Sequence, residues 1–245
     1  ETFFKNVYKM PPAHSFLYKD GKMKLTRYWL PEFDAEEDKP LDYWVDEIEK
    51  VFDDSVEAHK ISDVEVGSFL SSGVDSSYVA CSAHVDKTFT VGFDNGTKYN
   101  EISYAQELSE LIPVKNISHI ITPEEFWGTF PKIQYHMDEP LADPAAVALY
   151  FVCNLASQHL KVVLSGEGAD EIFGGYNIYK EPLEMAWYDK IPFPIRKLIG
   201  KVAGALPAHR GLNFLVRRGK RLEERFIGNA YMFTEKERRG ILKDP

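Results

Sequence analysis

No stretch of this 245-residue chain is apolar for long enough to span a bilayer as a helix, and no signal peptide stands at its start. A helical membrane protein is set aside, and no membrane partner is expected. The chain opens at Glu1 rather than a methionine, so the missing leader carries little weight by itself. Cysteine is scarce: Cys81 and Cys153 stand alone in small-residue or apolar helical stretches. They read as buried thiols of a reducing compartment, which excludes a disulfide framework and predicts a cytoplasmic location. The seven histidines show no paired metal spacing, so no transition-metal site is expected. Positive charge is also short, with a net charge of −9, which argues against a general nucleic-acid partner. One stretch departs from this balance: Arg196 to Arg225 carries nine Lys or Arg against two Glu. It reads as a solvated helical face, with contact to an anion or RNA as the alternative.

What is present is ordinary for a soluble globular protein, at 44% hydrophobic and 27% charged residues. Residues 15–29 alternate apolar and polar types on both sides of Asp20-Gly21, the pattern of a β-hairpin closed by a type I′ turn. An acidic, proline-bounded linker follows over 31–41. Trp44, Ile48, Val51, Phe52 and Val56 then recur at helical spacing between Asp42 and His59. From there strands and helices alternate. Strands are expected at 64–70, 87–93, 116–122 and 161–166, and helices at 76–84, 100–112, 123–137 and 145–159. Near-continuously apolar strands in such an alternation predict an α/β fold: a doubly wound parallel sheet with helices on both faces. Beyond Tyr176 the pattern turns helical, broken by Pro192, Pro194 and Pro207.

Two strand ends carry the chemistry. The first expected strand stops in Ser71-Ser72-Gly73-Val74-Asp75-Ser76-Ser77. In a doubly wound sheet, ligands bind beyond the carboxyl ends of the strands. There a turn leading into a helix offers backbone N–H groups and a helix dipole to an anion. Gly73 permits close approach, and the hydroxyls of Ser71, Ser72, Ser76 and Ser77 add donors. No lysine follows, so this is not the Walker loop. Asp75 repels phosphate on its own and makes sense as a ligand to Mg²⁺ held against a pyrophosphate. The competing reading is an ordinary turn in which Asp75 or Ser76 caps the helix. A second strand, ending in Ser165-Gly166, brings Glu167, Asp170 and Glu171 within a few positions. Glu167 lies between two glycines, which suits exposure at a strand end better than packing.

Together the stretches SSGVDSS (71–77) and SGEGADEIFGGY (165–176) resemble the synthetase domain of the glutamine-hydrolysing asparagine synthetases, members of the ATP-pyrophosphatase (PP-loop) group. In that family the first reads S-G-G-[LV]-D-S-S and the second S-G-E-G-[AS]-D-E-[IV]-F-G-G-Y. The hairpin and linker, "VGFD" and "DEPLADPAA" (138–146) extend the likeness to about residue 190. Ser72 replaces the first loop glycine, and 138–146 lacks an arginine that some members carry near aspartate.

The resemblance implies an adenine nucleotide alpha-hydrolase-like fold and a division of the chain. Residues 1–30 would be the remnant of an N-terminal glutaminase domain, 31–41 a linker, and 42–245 a C-terminally incomplete synthetase domain. It implies a carbon–nitrogen ligase, asparagine synthase, in which the aspartate β-carboxylate attacks the α-phosphate of ATP. Pyrophosphate leaves, and ammonia derived from glutamine displaces AMP from β-aspartyl-AMP. It assigns Glu167, Asp75 and Asp170 as catalytic, with Asp75 and Asp170 on Mg²⁺. ATP falls to Leu70, Ser71, Ser72, Gly73, Asp75, Ser76, Ser77, Val91, Ser165 and Gly166. Aspartate, ATP and ammonia are the implied partners, and a homodimer is compatible with the full-length protein. Position 1 is Glu and the downstream lysine of the family is missing, Lys180 being a poor substitute. The expectation is therefore no glutaminase activity and weak or no synthesis by this piece alone. Two alternatives stand beside this: a β-lactam synthetase, which places tyrosine at the Glu167 position, and a tRNA-modifying ATP-pyrophosphatase.

Overall fold

The computed structural model describes residues 2–32, 39–94, 100–141, 143–207, 209, 211–225 and 235–241, so most of the acidic linker lies outside the described residues. The chain divides into two compact units, Glu1–Glu167 and Gly168–Pro245. The boundary falls inside the second motif, at Gly168, whose φ of 93° is open to glycine and costly for other residues.

In the first unit, β1 (His14–Lys19) and β2 (Lys22–Arg27) form the expected antiparallel hairpin. Its turn residues Asp20 and Gly21 take φ of 52° and 73°, the two positive values a type I′ turn requires. Phe16, Leu17, Tyr18 and Met23 remain exposed, so the hairpin presents apolar residues on both faces. Helix α1 (Leu41–His59) follows, and its apolar stripe is buried only toward its end. Val56 packs with Ala83 and Val85 beside Phe52, while Ile48 and Val51 stay exposed.

Four parallel strands make the main sheet: β3 (Val66–Phe69), β4 (Lys87–Phe93), β5 (Lys115–Ile121) and β6 (Val162–Leu164). Their order is β5-β4-β3-β6. The chain steps outward from β3 through β4 to β5, then returns past them to the other side of β3. Right-handed crossovers in the two directions put helices on opposite faces. Accordingly α2 (Val74–Ala83) and α3 (Ile102–Leu111) join α1 on one face, and α4 (Pro123–His136) and α5 (Ala145–Ser157) cover the other.

Each face has its own core. Leu70, Ala80 and Ala105 cluster under α2 and α3. On the other face, Phe89 meets Val152, Ala156 and Leu160, and Ile121 meets Ile133, Val147 and Phe151. Helix α4 starts on a capping box, the Thr122 hydroxyl accepting from the Glu125 N–H and the Glu125 carboxylate from the Thr122 N–H.

One expectation about the strands is corrected. They are not near-continuously apolar, because Ser68, Thr88 and Thr90 are buried in β3 and β4. Their hydroxyls are hydrogen-bonded inside the sheet, which removes the penalty for burying them. The cysteine reading is corrected too: Cys81 is half-buried, and Cys153 lies exposed on α5.

The second unit is helical: α6 (Ala169–Phe173), α7 (Asn177–Glu184), α8 (Ala186–Asp189), α9 (Phe193–Ala205), α10 (Leu212–Arg218), α11 (Leu222–Arg225) and α12 (Glu235–Ile241). Helices α9 and α10 cross at Gly200 and Gly219, where a Cβ on either residue would sit 3.0 Å from the other's Cα. The basic stretch is neither a wholly solvated face nor a free cationic patch. Arg218 is fully buried and donates to Asp189 at 3.0 Å and to the Glu181 carbonyl at 2.6 Å. Arg196 also pairs with Asp189, Arg225 lies 3.6 Å from it, and Arg217 pairs with Glu181. Burial pushes the Arg218 guanidinium below its usual pKa, and the neighbouring Arg225 charge acts in the same direction while Asp189 opposes it. Among the described residues, no helix is long and apolar enough to cross a membrane.

Candidate functional site

The strand order puts the reversal of winding between β3 and β6, the place where an open α/β sheet leaves a crevice at its carboxyl edge. The two motif loops leave from those two adjacent strands. Val66, Gly67 and Ser68 of β3 lie in register with Val162, Val163 and Leu164 of β6. The Ser68 hydroxyl donates to the Phe69 carbonyl at 3.0 Å and reaches the Leu164 carbonyl at 3.4 Å, tying the strands together near their ends.

The loop after β3 is built from its own hydroxyls. The Ser71 N–H donates to Ser76 Oγ at 3.0 Å, the two hydroxyl oxygens lie 2.8 Å apart, and the Gly73 N–H donates to Ser71 Oγ at 3.1 Å. Ser76 and Ser77 both donate their hydroxyls to the Gly73 carbonyl. Ser72 turns outward and donates to the Glu101 carboxylate at 3.1 Å. These hydroxyls therefore shape the loop.

The start of the next helix offers an anion backbone donors as well. Helix α2 starts at Val74, two residues earlier than expected, with Gly73 as its N-cap and no side chain capping it. This overturns the reading in which Asp75 or Ser76 is the cap, because both lie inside the first turn. The first N–H groups of a helix have no partner within it, and the dipole favours negative charge there. Asp75 occupies that turn, half-buried.

The second loop presses against this turn. A Cβ on Gly166 would lie 2.8 Å from the Ser76 nitrogen and 2.9 Å from the Asp75 carbonyl carbon, closer than Cβ atoms are found. Gly166 is thus required for the two motifs to meet within the first unit. Glu167 comes next, exposed, its N–H donating to Ser165 Oγ at 3.3 Å. Leu70 is buried, with its N–H on the Phe89 carbonyl at 2.9 Å, and Val91 is half-buried on β4 beyond it. Asp170 lies in the second unit on α6, where its carboxylate packs against Gly175. Two participants had no sequence signal strong enough to single them out: Glu101, which holds Ser72, and Thr90, whose hydroxyl donates to the Leu70 carbonyl at 2.7 Å.

An uncapped helix start in a glycine-lined cradle fits a polyphosphate. Among the described residues, no group of three His, Cys, Asp or Glu is arranged to hold a metal ion. Magnesium does not need one, since it keeps several waters and takes one or two carboxylates plus substrate phosphate oxygens. Asp75 in the first turn of α2 suits that manner of binding.

Comparison with known proteins gives this geometry a family. The model of the family described as "Asparagine synthase" matches residues 47–243. The chain is 43% identical over 251 residues to asparagine synthetase [glutamine-hydrolyzing] 1 of Bacillus subtilis (strain 168), covering 99% of this chain and 39% of that protein. It is 44% identical over 227 aligned positions to a protein of Mycobacterium tuberculosis (strain H37Rv) whose name also carries asparagine synthetase [glutamine-hydrolyzing], covering 89% of this chain and 34% of that protein. To asparagine synthetase B [glutamine-hydrolyzing] of Escherichia coli (strain K12) it is 28% identical over 189 residues, covering 67% of this chain and 33% of that protein. The chain thus spans between a third and two-fifths of the length of these relatives. With the sheet reversal, the two motif loops and a family match across most of its length, the chain belongs to the asparagine synthase family.

Proposed function

We propose that this chain is the synthetase portion of a glutamine-dependent asparagine synthetase. In this reading the aspartate β-carboxylate attacks the α-phosphorus of ATP, the bond to pyrophosphate breaks, and β-aspartyl-AMP forms. Ammonia then attacks the acyl carbon, AMP leaves, and the surplus proton passes to a base. The observation that carries the proposal is the contact of Gly166 with Asp75 and Ser76, which sets the two motif loops against each other at the sheet reversal.

The first turn of α2, with Gly73 as its start, holds the leaving pyrophosphate, where negative charge grows as the bond breaks. Magnesium, when bound, neutralises that charge, and Asp75 is the residue of the first unit that would hold it. Asp170 is assigned the same duty on its place in the motif. Leu70, Val91 and the Ser165-Gly166 backbone receive the adenosine, an apolar side chain suiting the base and strand-end peptide groups supplying selectivity. Glu167 is exposed at the strand end; in this reading it acts first in forming the acyl-adenylate and then accepts the proton from attacking ammonia. The relatives are named for glutamine hydrolysis, and glutamine is the ammonia source in this proposal.

Aspartate-dependent exchange of labelled pyrophosphate into ATP by the full-length protein tests it. Exchange that requires aspartate is the expected result, and Glu167→Gln abolishes it while sparing ATP binding. Asp75→Asn lowers ATP affinity in magnesium but not in its absence. Exchange driven by a β-lactam precursor or by tRNA, and not by aspartate, would refute the proposal in favour of one of the two alternative chemistries.

A further inference from the structure

The buried polar residues of the sheet form a row with an unusual expense. Ser68 lies opposite Thr88 on neighbouring strands, and Thr88 opposite Asn116. Asn116 Nδ2 donates to Thr88 Oγ1 at 3.1 Å and to Thr90 Oγ1 at 2.9 Å, and the Thr90 hydroxyl donates to the Leu70 carbonyl at 2.7 Å. The direction of this chain is forced by chemistry. A carbonyl can only accept, so Thr90 commits its one proton to Leu70 and can only accept from its other neighbour. Asn116 must therefore turn its NH₂ toward the threonines. The consequence is that Asn116 Oδ1 is buried without a hydrogen-bond partner. A buried unpaired acceptor is destabilising, and valine or isoleucine along this face would avoid it.

That expense places one peptide. The Leu70 carbonyl and the Ser71 N–H belong to the same rigid plane, the one through which β3 enters the phosphate loop. Thr90 holds its oxygen edge from β4, and Ser76 Oγ holds its nitrogen edge from α2 at 3.0 Å. Rotation of the plane breaks both bonds. We propose that Thr90, oriented by Asn116, is a positioning residue that fixes the Leu70–Ser71 peptide and so aims the loop at the nucleotide. The inference rests on the ATP-binding function proposed above.

The test is isothermal titration of Mg·ATP into the full chain, with thermal unfolding measured on each variant. Thr90→Val keeps the shape and removes the hydroxyl, and its affinity is expected to fall about tenfold, the size of one buried hydrogen bond. Thr90→Ser keeps the hydroxyl and restores affinity to within a factor of about two, since the donor to Leu70 remains. Asn116→Leu removes the unpaired oxygen along with the donor to Thr90. It also takes the Asn116 partner from the buried Thr88 hydroxyl, so the two effects on stability offset while ATP binding weakens several-fold, a split that a merely structural role does not produce. A Thr90→Val or Asn116→Leu protein that binds ATP like the parent overturns the relay. A parent that binds no Mg·ATP overturns the function reading instead.

Discussion

Gly166→Ala is the sharpest test of how the two motifs meet. The added Cβ falls 2.8 Å from the Ser76 nitrogen, 2.9 Å from the Asp75 carbonyl carbon and 3.1 Å from Asp75 Cβ. Two of these are backbone atoms, so no rotamer change relieves the contact, and either the start of α2 or the end of β6 must shift by several tenths of an ångström. Overpacking of this kind costs about 1–3 kcal/mol. For a chain of this size that corresponds to a drop of roughly 2–12 °C in Tm. The displaced atoms include the N–H groups assigned to pyrophosphate, so Mg·ATP affinity falls as well. Gly128→Ala is the matched control, because a Cβ there meets nothing within 4 Å. Inside α4 it replaces a poor helix former and stabilises by about 0.5–1 kcal/mol. Circular dichroism melts of both variants, with ATP titrations, give the comparison. A Gly166→Ala protein with parental Tm and parental affinity would show that the motifs do not press together.

Two further outcomes follow from the charges. Asp189 is shared by Arg196, Arg218 and Arg225, so Asp189→Ala strands buried guanidiniums and is expected to cost about 3–5 kcal/mol. Arg218→Met removes one cation from a cluster with more cations than acids and costs distinctly less; equal costs in urea denaturation would refute this arithmetic. At Glu125 the Thr122 N–H, and after it the charge of His119, hold the carboxyl below its usual pKa of 4.5. A lowered folded-state pKa contributes stability above pH 4.5 that is lost as pH falls through the folded value. Glu125→Gln therefore flattens the acid limb of a stability–pH curve, and an unchanged limb would count against the capping box as its source.

The sequence disclosed what local chemistry decides and hid what depends on pairing. Asp20-Gly21 announced its turn because positive φ narrows the residue choice to a few types. The ends of β4 coincide with "KTFTVGF" because Asp86 and Asp94, a residue type depleted in strands, flank it. The start of α2 was misplaced because Val74 carries no capping signal and Gly73, which does the capping, has no side chain to show it. The loop serines read as donors in the sequence, but a hydroxyl's direction depends on its neighbours: Ser76 and Ser77 turn to the Gly73 carbonyl and Ser72 to Glu101. Thr90 and Asn116 stand 26 residues apart, so their bond exists only once β4 and β5 are in register. The basic stretch hides its pairing for the same reason: its counter-charges, Glu181 and Asp189, lie upstream of Arg196 in the chain.

The edge position of β6 bears on how the protein is made. Its three residues pair with β3 across a separation of 96 residues, whereas β4 pairs with β3, and β5 with β4, across much shorter separations. Closing the longest loop comes at the greatest entropic cost and tends to come late. During synthesis the loop 71–77 emerges long before Ser165, Gly166 and Glu167, so a half-made chain carries the first motif without the second. Pulsed hydrogen exchange should show the amides of β4 protected before those of β6. The meeting of the two motif loops is then a product of the final closure of their unit, and a chain arrested upstream of β6 carries the first loop with nothing to press against it.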